Sequence, residues 1–226
     1  DAALNLAEHW LATEGAGPFA EFVTPQAKII AAGLAPKQSV TPEYAFNVNY
    51  GYHFDAGKFA RLLHHHAVAR LGVQYVSGNV ERVESEGDGS IAAVVLATGQ
   101  RLAGDLFVDC TGQRALLIGR QPGAGFVSVK EILFNDTAIA VQVPYADAGQ
   151  PIASVTCATA VSSGWIWDIG LQTRRGVGHV YSSAYTSDAE ALSTLRDYIG
   201  RVSPRTDLDQ LGFRQIRFEP GYRRRF

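Results

Sequence analysis

Asp109, Cys110, Thr111 and Gly112 stand directly after the apolar run Leu106-Phe107-Val108. A carboxylate, a hydroxyl and a residue without Cβ form a turn at which backbone comes close to something else. The apolar run suits a strand covered on both faces. In open α/β sheets, ligands sit beyond the carboxyl ends of such strands. Gly104 to Gly112 therefore reads in one of two ways. It is a buried strand ending at a cofactor edge, or a strand-to-helix turn with Asp109 as its local cap.

The second such stretch is Ser163-Gly-Trp-Ile-Trp-Asp-Ile-Gly170. On a strand, Trp165 and Trp167 point to the same face. Two adjacent indoles make a rigid aromatic wall that suits a flat conjugated ring, or they close a sheet against a helix. Arg174, Arg175, Gly176, Gly178 and His179 read as a basic turn, able to meet a phosphate or to sit in solvent. His64, His65 and His66 fall inside a helical pattern. Consecutive helical residues point about 100° apart, so they cannot all ligate one metal, and a solvated helix face is the better reading. No cysteine–histidine cluster has zinc spacing and no glycine-rich phosphate fingerprint follows a strand.

The elements that must hold these residues follow from periodicity. Residues 1–35 read as loosely amphipathic helix, with Leu4, Ala7, Trp10 and Leu11 at helical spacing, Trp10 in the core and Gly15 to Pro18 as a break. Residues 36–45 read as loop, and Tyr44 to Phe54 as extended. Asp55 is placed to cap a helix ending at Gly72, with Phe59, Leu62, Leu63 and Ala67 as its buried stripe. Val73 to Val76 reads as a strand. Asn79–Glu84 and Ile91–Leu96 flank Gly87-Asp88-Gly89, a hairpin signal. Gly99-Gln100 marks a further turn before the Gly104 stretch. A short helix carrying Leu116, Leu117 and Ile118 is expected after Gly112. Beyond Pro122 the segments 139–143, 152–160, 164–171 and 178–182 are β-like, a helix follows from 186, and 213–218 alternates as a last strand.

The 226 residues carry a net charge of −2, with 46% hydrophobic and 19% charged residues. That composition is ordinary for a globular chain, and it lacks the basic field that nucleic acid or anionic membrane binding leaves behind. No apolar run approaches bilayer length. Cys110 and Cys157 are the only cysteines, which argues against a disulfide framework and for a reducing, cytoplasmic setting. The chain has no Met, and Tyr222 to Phe226 stops in mid-pattern. Both suggest a piece of something longer.

Taken together, three stretches resemble the middle of a flavin-dependent tryptophan halogenase. They are Tyr52-His-Phe-Asp-Ala-Gly-Lys-Phe59, Gly104-Asp-Leu-Phe-Val-Asp-Cys-Thr-Gly-Gln-Arg-Ala-Leu-Leu-Ile118, and Gly164-Trp-Ile-Trp-Asp-Ile169. The third is close to the family's W-x-W-x-I-P signature. The runs at 178–183 and 218–226 agree with it, and the resemblance covers most of residues 40–226. It implies an α/β fold of the FAD-dependent aromatic monooxygenase type: a nucleotide-binding α/β layer with a β-meander over 1–122, and an antiparallel β substrate-side layer over 123–226, truncated at the C-terminus.

The resemblance also implies a chemistry. Reduced FAD reacts with oxygen and halide to give hypohalous acid, which a lysine and a glutamate direct onto tryptophan or another indole-type arene. A separate flavin reductase supplies the reduced FAD, and a homodimer is common. By carry-over, Val80 contacts the adenine side, Asp109, Cys110, Thr111 and Gly112 lie along the nucleotide, and Trp165, Trp167 and Ile169 lie near the flavin ring. No catalytic residue is assigned within these residues. Lys28 and Glu219 do not occupy the motif positions of the family's lysine and glutamate, and the glycine-rich FAD fingerprint is absent. The signature's proline is Gly170, which frees φ where proline fixes it, so a looser loop and a changed substrate are expected. The alternatives are a related aromatic monooxygenase and a non-catalytic fragment.

Overall fold

The structure, a computed structural model, describes residues 5–13, 17–147 and 149–223. Leu4, Gly15 and Arg224 to Phe226 lie outside them. Along the chain the helices are α1 (Leu6–Ala12), α2 (Phe19–Val23), α3 (Gln26–Ala31), α4 (Ala56–Leu71) and α5 (Asp188–Val202). The strands are β1 (Val80–Ser85), β2 (Ile91–Leu96), β3 (Arg101–Ala103), β4 (Phe126–Ser128), β5 (Thr137–Pro144), β6 (Thr156–Val161), β7 (Gly164–Gly170), β8 (Arg174–Tyr181), β9 (Arg214–Arg217) and β10 (Gly221–Arg223). The larger sheet has the order β6-β7-β8-β5-β9, and the smaller ones are β1-β2-β3 and β4-β10. The chain divides into two compact units, residues 1–55, 139–179 and 189–214, and residues 56–138, 180–188 and 215–226.

In the first unit the sheet is covered on one face by α5, whose Ala191, Leu195, Tyr198 and Ile199 are buried. Their spacing is the apolar stripe of an amphipathic helix. His179 of β8 bonds the Ala191 carbonyl through Nδ1 at 3.0 Å. The N-terminal helices are too short to stand alone. Cross-links hold their segment: Gln26 to the Asn49 carbonyl at 2.6 Å and Ser154 to the Leu34 carbonyl at 3.0 Å. Trp10 is half-exposed rather than core. Its indole N–H bonds the Gly17 carbonyl at 3.0 Å and its ring meets Phe19 edge-on, because a seven-residue helix offers no second layer to bury it.

In the second unit the meander forms as expected. Gly89 and Gly99 take φ of +81° and +84° at its turns, and Ala93, Val95 and Leu96 are its buried residues. α4 ends at Gly72, φ +69°. Three sequence expectations fail here, the two strands among them for one reason. Leu106 and Val108 are 83% and 75% exposed, Val73 to Val76 is exposed and unpaired, and the α4 stripe of Phe59, Leu62 and Leu63 is exposed. An apolar run marks a segment for burial, but a strand exists only when a neighbour takes its N–H and C=O groups. Among the described residues no strand pairs with either segment.

The helix expected after Gly112 is two 3₁₀ turns, Gly112–Arg114 and Ile118–Arg120. The basic turn at Arg174 is instead the start of β8. Arg174 pairs with Asp55 at 2.7 Å, and Arg175 is buried against Asp168. Gly170 does not loosen a loop. It is the buried last residue of β7, where an added Cβ would stand 2.8 Å from Ile152 and 3.1 Å from the Tyr145 hydroxyl. Glycine is used there for close packing.

Candidate functional site

The Asp109 turn is held by its own carboxylate. Oδ1 accepts the Thr111 N–H at 3.0 Å and its hydroxyl at 2.6 Å. Oδ2 accepts the Leu117 and Ile118 N–H groups at 2.8 and 3.1 Å. The Thr111 hydroxyl accepts in turn from the Leu116 N–H at 2.9 Å. The Thr111 hydroxyl, assisted by these N–H groups, holds the Asp109 carboxyl at about 2. The side chain thus works as the local cap, with its oxygens engaged within the turn, while Cys110 is exposed.

Asp109→Ala is expected to free the Leu117 and Ile118 N–H groups and cost about 1–2 kcal/mol locally. Faster amide exchange at 111, 117 and 118 alone would show it. Exchange unchanged there would overturn the cap.

What the turn presents is Gly112, at φ +65°, with nothing within 4 Å of where its Cβ would be. Gly112 lines a cleft of about 490 Å³ with Gln113, Ile118, Phe126, Glu219, Gly221 and Arg223 among its walls. β4 and β10 pair antiparallel there, Arg223 opposite Phe126. Gly221 is required: a Cβ would lie 2.2 Å from the Phe126 ring and 2.5 Å from the Val127 carbonyl. The Phe126 ring edge fills that room, and the Arg223 guanidinium stands 5.4 Å from the ring centroid, a cation–π arrangement. The side-chain-free backbone at Gly112 and the Arg223 guanidinium give the cleft room and a cation, and the Glu219 carboxylate is on its lining as well. Gly112, a candidate from the sequence, lines this cleft, whereas Phe126 and Arg223 were not among the candidates. The 218–226 run was the available signal for Arg223; Phe126 had none. Val80, at the start of β1, does not line this cleft.

In the first unit, β7 alternates strictly. Ile166, Asp168 and Gly170 are buried, while Trp165, Trp167 and Ile169 share the more open face. The indole centroids are 6.2 Å apart at 60°, and Trp165 is 39% exposed. Opposite them on β6 stand Ala160 and Ala158, so the indoles rise from a face of small residues.

On the other face Asp168 and Arg175, each 8% exposed, form a two-point pair. Arg175 Nε donates to Oδ1 at 2.9 Å and Nη2 donates to Oδ2. Arg175 Nη1 donates to the Ser203 hydroxyl at 2.5 Å, and the Tyr198 hydroxyl donates to Asp168 at 3.0 Å. Burial, then the Asp168 charge, pushes the Tyr198 phenol up to about 12, so it remains a donor throughout the neutral range. Burial opposes the Arg175 charge, and Asp168 more than restores it. No sequence signal marked this clamp, because its members are spread from 168 to 203.

The family model for tryptophan halogenase matches residues 2–226. The chain belongs to the tryptophan halogenase family. The tryptophan 7-halogenase RebH of Lentzea aerocolonigenes is 38% identical over 177 residues, 78% of this chain and 32% of its own. The solved tryptophan halogenase of Shewanella frigidimarina is 44% identical with a TM-score of 0.89, covering 98% of this chain and 42% of its own. Xcc4156, a flavin-dependent halogenase from Xanthomonas campestris, is 38% identical with a TM-score of 0.74 over 87% of this chain and 37% of its own. The fold is therefore that of the flavin-dependent halogenases, α/β with antiparallel sheets. The chain spans about a third of the length of the curated relative and under half of the solved ones.

Proposed function

We propose that the whole protein is a flavin-dependent halogenase of tryptophan or another indole-type arene, using reduced FAD, oxygen and a halide. One observation carries this reading. A chain matched by the family model over residues 2–226 also sets Trp165 and Trp167 side by side on one open strand face. A reduced flavin, when bound, supplies the electrons by which oxygen and halide yield an electrophilic halogen.

The Gly112 cleft suits such a group: the space at the Gly112 Cβ position is open, and Arg223 offers a cation beside the Phe126 ring. Thr111 and Gly112 would hold the nucleotide, with Asp109 shaping the turn, Cys110 beside it and Val80 toward the adenine. Trp165, Trp167 and Ile169 would wall the ring and keep water from it. In this reading residues 1–122 belong to the FAD-binding region and residues 123–226 to the substrate side. In this reading the protein works in the cytoplasm with a separate reductase, as a homodimer. The buried position of Gly170 supports the halogenase over the monooxygenase alternative, since it leaves no loosened loop after Trp167.

The test is the full-length protein supplied with reduced FAD, oxygen and bromide, and offered tryptophan and indole. A product carrying the bromine isotope doublet in mass spectrometry is expected. Hydroxylated product without bromine would overturn the reading. The 226 residues alone are expected to purify without flavin and to be inactive, and stoichiometric yellow flavin in that preparation would contradict this.

A further inference from the structure

We propose that Gly178 is a positioning residue for the Trp167 indole, and that the aromatic pair is one fixed ring and one adjustable ring. This rests on the reading of the Trp165–Trp167 face as part of the halogenase site. Gly178 sits on β8, the strand next to β7. A Cβ built there would stand 2.1 and 2.2 Å from Cζ2 and Cη2 of Trp167 and 2.7 Å from the Ile139 carbonyl oxygen. No methyl group fits at those distances in a close-packed sheet. The indole therefore lies directly on the Gly178 backbone, and the Ile139 carbonyl behind it is main chain that cannot swing aside.

Gly178 is not among the glycines with positive φ. Its backbone is open to any residue, so what the site uses is the missing side chain. Gly176, two residues along the same strand and so on the same face, has nothing within 4 Å of its Cβ position. It is a built-in control. On the opposite flank Ala158 faces Trp167, and behind β7 the Asp168–Arg175 pair holds the strand. Trp167 is thus seated from below and its strand fixed from behind, whereas Trp165 is 39% exposed. The plane of Trp167 follows from Gly178, and Trp165 is the ring free to adapt to a ligand.

The experiment compares Gly178→Ala, Gly176→Ala, Trp167→Ala and Gly178→Ala/Trp167→Ala in the full-length protein. The readouts are the indole–indole exciton couplet in circular dichroism and the melting temperature. Gly178→Ala is expected to abolish or invert the couplet and lower the Tm, while Gly176→Ala changes neither. In the Trp167→Ala background the Tm loss from Gly178→Ala is expected to be clearly smaller, the non-additivity of groups in contact. An unchanged couplet, or the same Tm loss in both backgrounds, would overturn the proposal.

If Gly178→Ala alone does not fold, recovery by Trp167→Ala supports the contact and failure to recover overturns it. In turnover, Gly178→Ala is expected to lower brominated product by about tenfold or more relative to Gly176→Ala; equal yields would refute a positioning role. The dichroism and melting readouts need no turnover. A protein without halogenase activity would therefore sink the functional reading and leave the Gly178 contact standing or falling on its own result.

Discussion

Asp168→Ala is expected to destabilise the first unit by about 3–5 kcal/mol, because it strands the Arg175 guanidinium in a site that is 8% exposed. The bidentate geometry satisfies the charge from one side only, through Asp168; the Ser203 hydroxyl cannot replace a carboxylate. The Tyr198 hydroxyl loses its acceptor at the same time. Replacing both partners, as in Asp168→Leu/Arg175→Met, is expected to recover much of the loss, since a buried pair removed together leaves no orphan charge. Thermal melting of the single and double variants checks this. A single variant as stable as the parent would mean that water reaches the guanidinium. Because β7 carries the clamp on one face and the indoles on the other, amide exchange along 164–170 is expected to quicken in Asp168→Ala even where the melt is only partly lowered.

Asp136→Ala is the counterpart in the second unit, with a loss of about 3 kcal/mol expected. Asp136 is 7% exposed and gathers separate segments of the chain. Its carboxylate accepts from Lys130 Nζ at 2.7 Å, from the Ser183 N–H and hydroxyl at 2.8 and 2.7 Å, and from the Thr137 hydroxyl at 3.1 Å. Its own N–H donates to the Tyr181 carbonyl, and its carbonyl accepts from the Phe218 N–H at 2.9 Å. The 218 segment leads directly into Gly221 and Arg223 of the cleft, so the loss is expected to reach that site.

Burial by itself would raise this carboxyl. The Lys130 ammonium and the Ser183 donors overcome it and hold it well below the usual carboxylate range. A folded value below the unfolded one, about 3.9, contributes stability that is fully present above about pH 4. That stability is lost as pH falls through the folded value. The melting difference between the parent and Asp136→Asn should accordingly be constant from pH 7 to pH 5 and shrink in stronger acid. A difference that grew on acidification would contradict the assignment.

Local chemistry was legible wherever a few adjacent residues decide the outcome. The Gly87-Asp88-Gly89 hairpin and the α4 stop at Gly72 follow from short-range geometry, and each stands as expected. So does the shared face of Trp165 and Trp167, because alternation along a strand needs no knowledge of the neighbour. The Asp109 turn was legible in type but not in role. The same residues suit a cap or a ligand edge, and only the positions of the Leu117 and Ile118 N–H groups make it a cap.

Read alone, the sequence determined the family and the antiparallel character of the second half, and it offered Gly112 as a candidate edge and Trp167 as part of a candidate aromatic wall. The family rests on three short stretches taken together, and the others on patterns within single segments. The tertiary structure decided what those segments meet. Leu106 and Val108 read as buried, yet they are exposed, because burial belongs to a pair of surfaces and not to one run of residues. Arg175 read as a solvated turn, yet it is locked to Asp168, and Gly178 read as turn punctuation, yet it is the seat of an indole. Each of those outcomes depends on partners from other strands or on α5, at separations that no local period encodes.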